Sequence, residues 1–502
     1  MVVTFEPDPR LAGRTELVLE TGAAKIVLKR LASAPTKGQL EDTGSSFSAD
    51  LAVPFASVLA SQRALRAAAA STNQSQFPRF KGGRVITERK LSAVQDNNVP
   101  IVNGLFSLVS RERSLMITDP SVLTDPARTF EPCTNTGTPM GAWTFGALMK
   151  NMAGPTDPAD FAQHWVDTMT QASVANTFPI APGSRVAALQ AWPRDAHNKL
   201  DLAKAPFRLM AIVNRIDLVG NVSYGSVGGA EARFIFRLLD PGCVDSVFQF
   251  NVILEYGVPI DSCIAIQDWA EKWLKLGTIA LGSATFDPEL QKLTDVFTAP
   301  NADPTHPNGS AIDRIRTNED VGGPWRLREY HVLNDGFFHS FPVAQTPQKS
   351  QFNNTATLGN WLLANPQPAE VPVLLGSVRF QGGSATNEFH LPWTAPLATN
   401  AAIHDFALNT CDGCHGPETG AVFQHVEPGG GLSTFLTGGS TVDPRGEPVT
   451  YHFHELQDRA VRLQTLANGA CGRFRPVPNL LQGLLFPNPL PPIEFQPSLS
   501  AD

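Results

Sequence analysis

The sequence predicts an α+β protein: a body with a central antiparallel sheet and flanking helices, followed by a small, mostly α C-terminal module. Three observations predict it. Residues 207–218, 232–239 and 248–256 are consecutive runs rich in β-branched and aromatic side chains, separated by Gly220, Gly225, Gly228, Gly229, Pro241 and Gly242. Stretches with apolar residues at helical spacing interrupt that series. Two further such stretches flank the pentad Cys411-Asp412-Gly413-Cys414-His415 near the C-terminus.

Residues 1–100 read as a loop-rich region with an Ala-rich helix over 61–70. Its basic cluster Arg79, Lys81, Arg84, Arg89 and Lys90 reads as a solvated loop. The body spans 101–394. There Asp157-Pro158 caps and starts a helix that carries Phe161, Trp165 and Met169 on one face. Asp261-Ser262 precedes a second helix with Ile266, Trp269, Trp273 and Leu276, and Asp287-Pro288 opens a third with Leu290, Leu293 and Phe297. Residues 325–333 and 337–343 extend the sheet, and 225–229 form a hairpin turn. The module spans 395–475. Its first helix shows Ile403, Phe406 and Ala407 on one face, and its last shows Leu456, Ala460, Val461, Leu463 and Leu466. A Pro-rich tail closes the chain over 476–502.

A chain of 502 residues can bury a large core. With 39 basic and 47 acidic residues its net charge is −8, which argues against non-specific binding to nucleic acid. No run approaches the roughly 18 apolar residues that span a bilayer. The body holds no G-x-S-x-G, H-E-x-x-H or Walker A motif, so no reaction is assigned to it.

The pentad carries the functional reading. Chance placement of the 6 cysteines and 11 histidines predicts roughly 0.002 such matches in a chain of this length. Thiols at this spacing can add across the two vinyl groups of one haem, and the adjoining imidazole can ligate its iron. The competing readings are a plain CxxC disulfide and a zinc half-site, which would need Cys471 and a further histidine to complete four ligands.

A helix, CxxCH followed by glycine, the glycine-rich stretches 416–420 and 429–431, and a terminal helix come in the order of the c-type cytochrome family, which residues 395–475 resemble. The resemblance implies a covalently bound haem c, with Cys411 and Cys414 as thioether positions and His415 as the proximal ligand. The remainder resembles large bacterial secreted proteins that end in such a segment, a likeness that implies no activity. The family usually places a methionine on the far side of the iron, yet no Met follows Met210. His452, just before the terminal helix, is the first distal candidate and His425 the second; His454 is a third.

Beyond the pentad, Cys133, Cys243, Cys263 and Cys471 form an even remainder. Cys243 and Cys263 flank one predicted strand, which favours that pair and leaves Cys133 with Cys471; four reduced thiols are the alternative. Disulfides, haem c and a composition low in charge all point to a periplasmic or extracellular place. Residues 1–7 lack a basic and apolar leader, so the chain reads as a mature or trimmed form. The expected function is that of an exported bacterial monohaem c-type protein that passes single electrons to a redox partner protein. The alternatives are a haem enzyme with an open iron site, acting on peroxide or an organic substrate, and a non-enzymatic exported binding or assembly protein in which CxxCH is structural.

Overall fold

The computed structural model describes residues 109–468 apart from short internal segments, the longest being 181–188 and 220–229, together with the backbone of five strands between residues 2 and 52. The Ala-rich stretch 61–70, the basic cluster, the turn at 225–229, Cys471 and the Pro-rich tail lie outside the described residues. Backbone contacts divide the chain into two units, one of residues 1–108 with 477–491, the other of 109–476 with 492–502.

The described part of the first unit lies between residues 2 and 52. Strands β1 (Val2–Pro7), β2 (Thr15–Thr21), β3 (Ala24–Leu31), β4 (Leu40–Asp42) and β5 (Ser46–Ala52) form a sheet in the order β1-β2-β3-β5-β4. The cause is legible in the short aliphatic runs Leu17-Val18-Leu19 and Ile26-Val27-Leu28, each flanked by charged residues.

The second unit is built on an eight-stranded sheet. Its strands are β6 (Met116–Ile117), β7 (Phe207–Arg215), β8 (Glu231–Leu238), β9 (Asn251–Gly257), β10 (Ile312–Glu319), β11 (Trp325–Val332), β12 (Phe338–Phe341) and β13 (Ala385–Asn387). The path runs β12-β11-β10-β9-β8-β7-β6. Every neighbouring pair is antiparallel, and β13 pairs with the Trp325–Leu327 end of β11. The α+β class and the central antiparallel sheet are therefore as the sequence predicts.

One face of this sheet is apolar. Ile212, Phe234, Phe236, Val252, Leu254 and Ile315 are buried on it. Helices α1 (Phe145–Ala153), α2 (Pro158–Thr170), α3 (Cys263–Leu276) and α4 (Phe286–Thr298) belong to this layered core. Phe145 stacks on Phe207 at 3.9 Å and meets Phe236 edge-on at 5.3 Å, while Phe297 meets Tyr256 at 5.4 Å. The predicted caps act as expected in α2 and α3: Asp157 accepts from the amides of Ala159 and Asp160, and Ser262 accepts from that of Ala265. Helix α4 begins at Phe286, slightly before the predicted Asp287-Pro288 start.

The opposite face is charged. Cross-strand register places Arg215 beside Glu231, Arg233 beside Glu255, Glu255 beside Arg314, and Arg316 beside Glu329. The C-terminal segment contributes α5 (Ala356–Ala364), α6 (Asn400–Leu408), the ribbon β14 (Gly439–Val442) with β15 (Thr450–Phe453), and α7 (Glu455–Ala467). Ile403, Phe406 and Ala407 of α6 share one core with Phe352, Leu358, Leu362, Phe380 and Trp393. Helix α7 packs along α3, and its Arg459 reaches Asp217 at 3.5 Å.

The expected disulfide pairing is corrected too. Cys133 is bonded to Cys243, 110 residues away, and Cys263 is disulfide-bonded in its own right, so the pairs Cys243–Cys263 and Cys133–Cys471 do not form. Flanking one strand is a poor guide, because a strand separates its two ends by about 3.3 Å per residue while a disulfide needs Cα atoms about 5.5–6 Å apart. Among the described residues no helix is long and apolar enough to cross a membrane.

Candidate functional site

The pentad lies on a tight helical turn, Cys411–Cys414, just after α6. Thr410 caps it: its hydroxyl accepts from the Gly413 amide at 3.1 Å and donates to the Ala407 carbonyl at 2.8 Å. The chain passes so close to α6 here that a Cβ on Gly413 would sit 2.1 Å from the Ala407 oxygen, so only glycine fits. The Cys411 amide donates to Thr346 Oγ1 at 2.8 Å, which ties the turn to the body.

Asp412 anchors the turn from within. Its carboxylate is fully buried, accepts from Trp393 Nε1 at 3.0 Å and pairs with Lys349 Nζ at 3.1 Å. Asn387 of β13 donates to the Asp412 carbonyl at 2.8 Å. A second buried network binds the loop after the pentad. There Arg445 pairs with Glu418 and Asp443, Tyr451 donates to Asp443 at 2.8 Å, and His404 Nδ1 lies 2.7 Å from Glu418. Together they hold the turn rigid against the sheet.

Cys411 and Cys414 are free thiols, both half-buried. Burial pushes each thiol up, Cys414 to about 12, and the Glu455 carboxylate adds to the rise at Cys414. That is the reverse of a CxxC oxidoreductase, whose nucleophilic cysteine is a stabilised thiolate. Cys411 packs against Trp325, Leu327, Val343 and Ala385.

His415 stacks on Trp325, ring centres 5.2 Å apart and 17° from parallel. On its other contact lies His425, 4.5 Å away and tilted by 47°. His425 Nδ1 lies 2.8 Å from Ser433 Oγ and its Nε2 is 3.4 Å from Cys414 Sγ. With Nδ1 bonded to the hydroxyl, Nε2 is the nitrogen turned toward the thiol. Burial, followed by the charges of His415 and Arg459, holds the His425 imidazole well below the usual range and so neutral, the form that ligates metals.

The structure thus brings Cys411, Cys414, His415 and His425 together. His452 sits on β15 opposite Ser440, half-buried between the buried Tyr451 and Phe453. His454 directly precedes α7. Met116, Met149, Met152, Met169 and Met210 are packed in the core of the body. Among the described residues no three His, Cys, Asp or Glu side chains are placed to hold a metal ion between them.

The donor set suits haem c: two free thiols on one turn, an adjoining imidazole and a neutral imidazole facing it. Spacing does not suit it as the rings stand. Two metal–nitrogen bonds of about 2.0 Å each separate ligating nitrogens by about 4 Å, so the ring centres must open beyond 4.5 Å to admit iron between them.

Sequence reasoning missed Trp325, Ser433, the Asp412–Trp393–Lys349 anchor and the charged sheet face. Only the last left a trace, the alternation of charges in Glu231-x-Arg233 and Arg314-x-Arg316 within strands. Comparison with family models, with curated proteins and with solved structures returns no match.

Proposed function

We propose that this chain is an exported c-type haem protein whose C-terminal segment is a cytochrome c-like module, and that it carries single electrons to a redox partner. The observation that carries the reading is the pair of free thiols of Cys411 and Cys414 on one turn, with His415 between Trp325 and His425. A bound haem supplies a one-electron iron couple at this point. Attachment needs no oxidant. Each S–H adds across one vinyl group, the sulfur bonds one carbon and the proton goes to the other.

The chain's own residues then have separate tasks. Cys411 and Cys414 would tether the haem, and His415, its ring plane set by Trp325, would offer its imidazole to the iron. Ser433 orients His425, which would offer the second imidazole. The disulfide Cys133–Cys243 supports an oxidising compartment, where such attachment takes place. The raised thiols speak against the thiol-redox reading.

The test is direct. The full chain, produced with haem-attachment machinery, should give a stoichiometric covalent haem in a pyridine haemochrome assay, and Cys411→Ala with Cys414→Ala should abolish it. A folded wild-type chain that stays colourless overturns the reading.

A further inference from the structure

The two halves of the Cys133–Cys243 bridge are unequal. Cys133 is half-buried, whereas Cys243 is exposed. The Cys243 amide donates to the Asp240 carbonyl at 2.9 Å, closing a turn that leaves Cys243 at a φ of 59°. That is the left-handed region, which a residue with a Cβ occupies at a steric cost. Cys243 is therefore the open sulfur of the pair, on a backbone that gains by being released.

A cleft of about 220 Å³ opens beside it. Cys243 forms part of the wall and Cys133 does not. Phe130, Pro206 and Leu239 give the cleft apolar sides, and Lys204 and Asp240 bring an ammonium and a carboxylate. Lys204 Nζ meets Asp201 at 3.0 Å and has N–H donors beyond that contact. The volume lies below the ~300–1,000 Å³ of sites for drug-sized ligands, so the occupant is small. None of these residues belongs to the pentad or its anchors.

We propose that Cys243 is a site of thiol–disulfide exchange, at which a small amino-acid thiol of the cysteine type seats in this cleft and forms a mixed disulfide. The step needs no oxidant. The incoming thiolate bonds Cys243 Sγ, the bond to Cys133 Sγ breaks, and Cys133 leaves as a thiolate that takes the proton the incoming thiol gave up. A second molecule of thiol attacks the mixed disulfide, departs as the small disulfide and leaves Cys133 and Cys243 reduced, so the thiol is the reductant. Attack falls on Cys243 because exchange requires access to the sulfur. The carboxylate and ammonium of the incoming molecule match Lys204 and Asp240. The assignment is independent of the haem reading.

The experiment incubates the full chain anaerobically with L-cysteine, quenches with acid at intervals and maps the products by mass spectrometry. The Cys263 disulfide is the reference in the same sample, because global unfolding opens both bridges. The cysteinyl group should appear on Cys243 about tenfold faster than at the Cys263 bridge. Ala191→Trp, at an exposed residue of the wall, fills the cleft and should slow the reaction at Cys243 by about tenfold. Lys204→Gln serves as the second variant should Ala191→Trp not fold. It should slow cysteine and leave cysteamine, which has no carboxylate, as fast as in the wild type. A cysteinyl group that arrives first on Cys133, or on Cys243 no faster than at the Cys263 bridge, overturns the exchange site. Rates in the folded variants equal to the wild type overturn the cleft as the place where the thiol binds.

Discussion

The imidazoles of His415 and His425 lie 4.5 Å apart, with Trp325 stacked on His415 and Ser433 bonded to the far nitrogen of His425. An aromatic face and a hydroxyl thus orient two rings that come from different loops. The gap between them is too small for a metal ion with two bonds of about 2.0 Å.

From that relationship follows the first prediction. In haem-loaded protein, His425→Ala should convert a low-spin ferric spectrum to high-spin and leave covalent attachment intact, because the thioethers and His415 are untouched. His452→Ala should leave the spectrum as it is. Absorption and electron paramagnetic resonance spectra check both variants; a low-spin spectrum that survives in His425→Ala and vanishes in His452→Ala would hand the distal role to His452.

Much of this was legible in the sequence, and the reasons differ by element. Helices α2 and α3 could be placed because their caps and apolar stripes agree. The strands over Phe207–Arg215, Glu231–Leu238 and Asn251–Gly257 announce themselves through β-branched and aromatic runs. The charged face did not, since Arg316 and Glu329 are buried against the usual rule and only cross-strand register reveals that they meet. Proximity of His425 to His415 depends on how the loop after Gly416 folds back, guided by buried Glu418 and Arg445. Sequence position before α7 drew attention to His452 instead. The pairing of Cys133 with Cys243 closes a long loop, and no spacing rule reaches that far.

Asp412 offers a test of the anchor. Its replacement by alanine leaves Lys349 without its buried partner and Trp393 Nε1 without one of its acceptors. Removing one member of a buried charge pair costs about 3 kcal/mol. Urea unfolding of Asp412→Ala should show that loss, and the fraction of chains carrying covalent haem should drop with it, because the turn that presents both thiols loosens. Stability equal to the wild type would show that the turn holds without this anchor.

The disulfide has its own expected magnitude. Cys133 and Cys243 enclose a loop of about one hundred residues, for which the chain-entropy view gives about 4–5 kcal/mol and measured losses run about 2–5 kcal/mol. Cys133→Ser with Cys243→Ser should therefore lower unfolding stability by about 3 kcal/mol. A reducing agent should lower the wild type at least as far, because Cys263 is also in a disulfide. A double variant as stable as the wild type would mean that the loop is already constrained in the unfolded chain.

Acidity supplies the last prediction. His454 precedes α7, and its Nε2 is buried without a hydrogen-bond partner. Burial, with a smaller contribution from His452, brings its imidazole down to about 4 from an ordinary 6.5. The unfolded chain therefore binds a proton at His454 in a range where the folded chain does not. Its contribution to stability is fully present above about pH 6.5 and is lost as the pH falls toward 4. His425 is displaced in the same direction and adds to the slope. For His454 alone, after allowance for the part of the ring that meets solvent, the loss between pH 7.5 and 5 is about 1 kcal/mol. Urea unfolding at the two pH values should show a smaller drop for His454→Gln than for the wild type by about that amount. Equal drops in both proteins would place the ring in contact with water and remove it from the pH response.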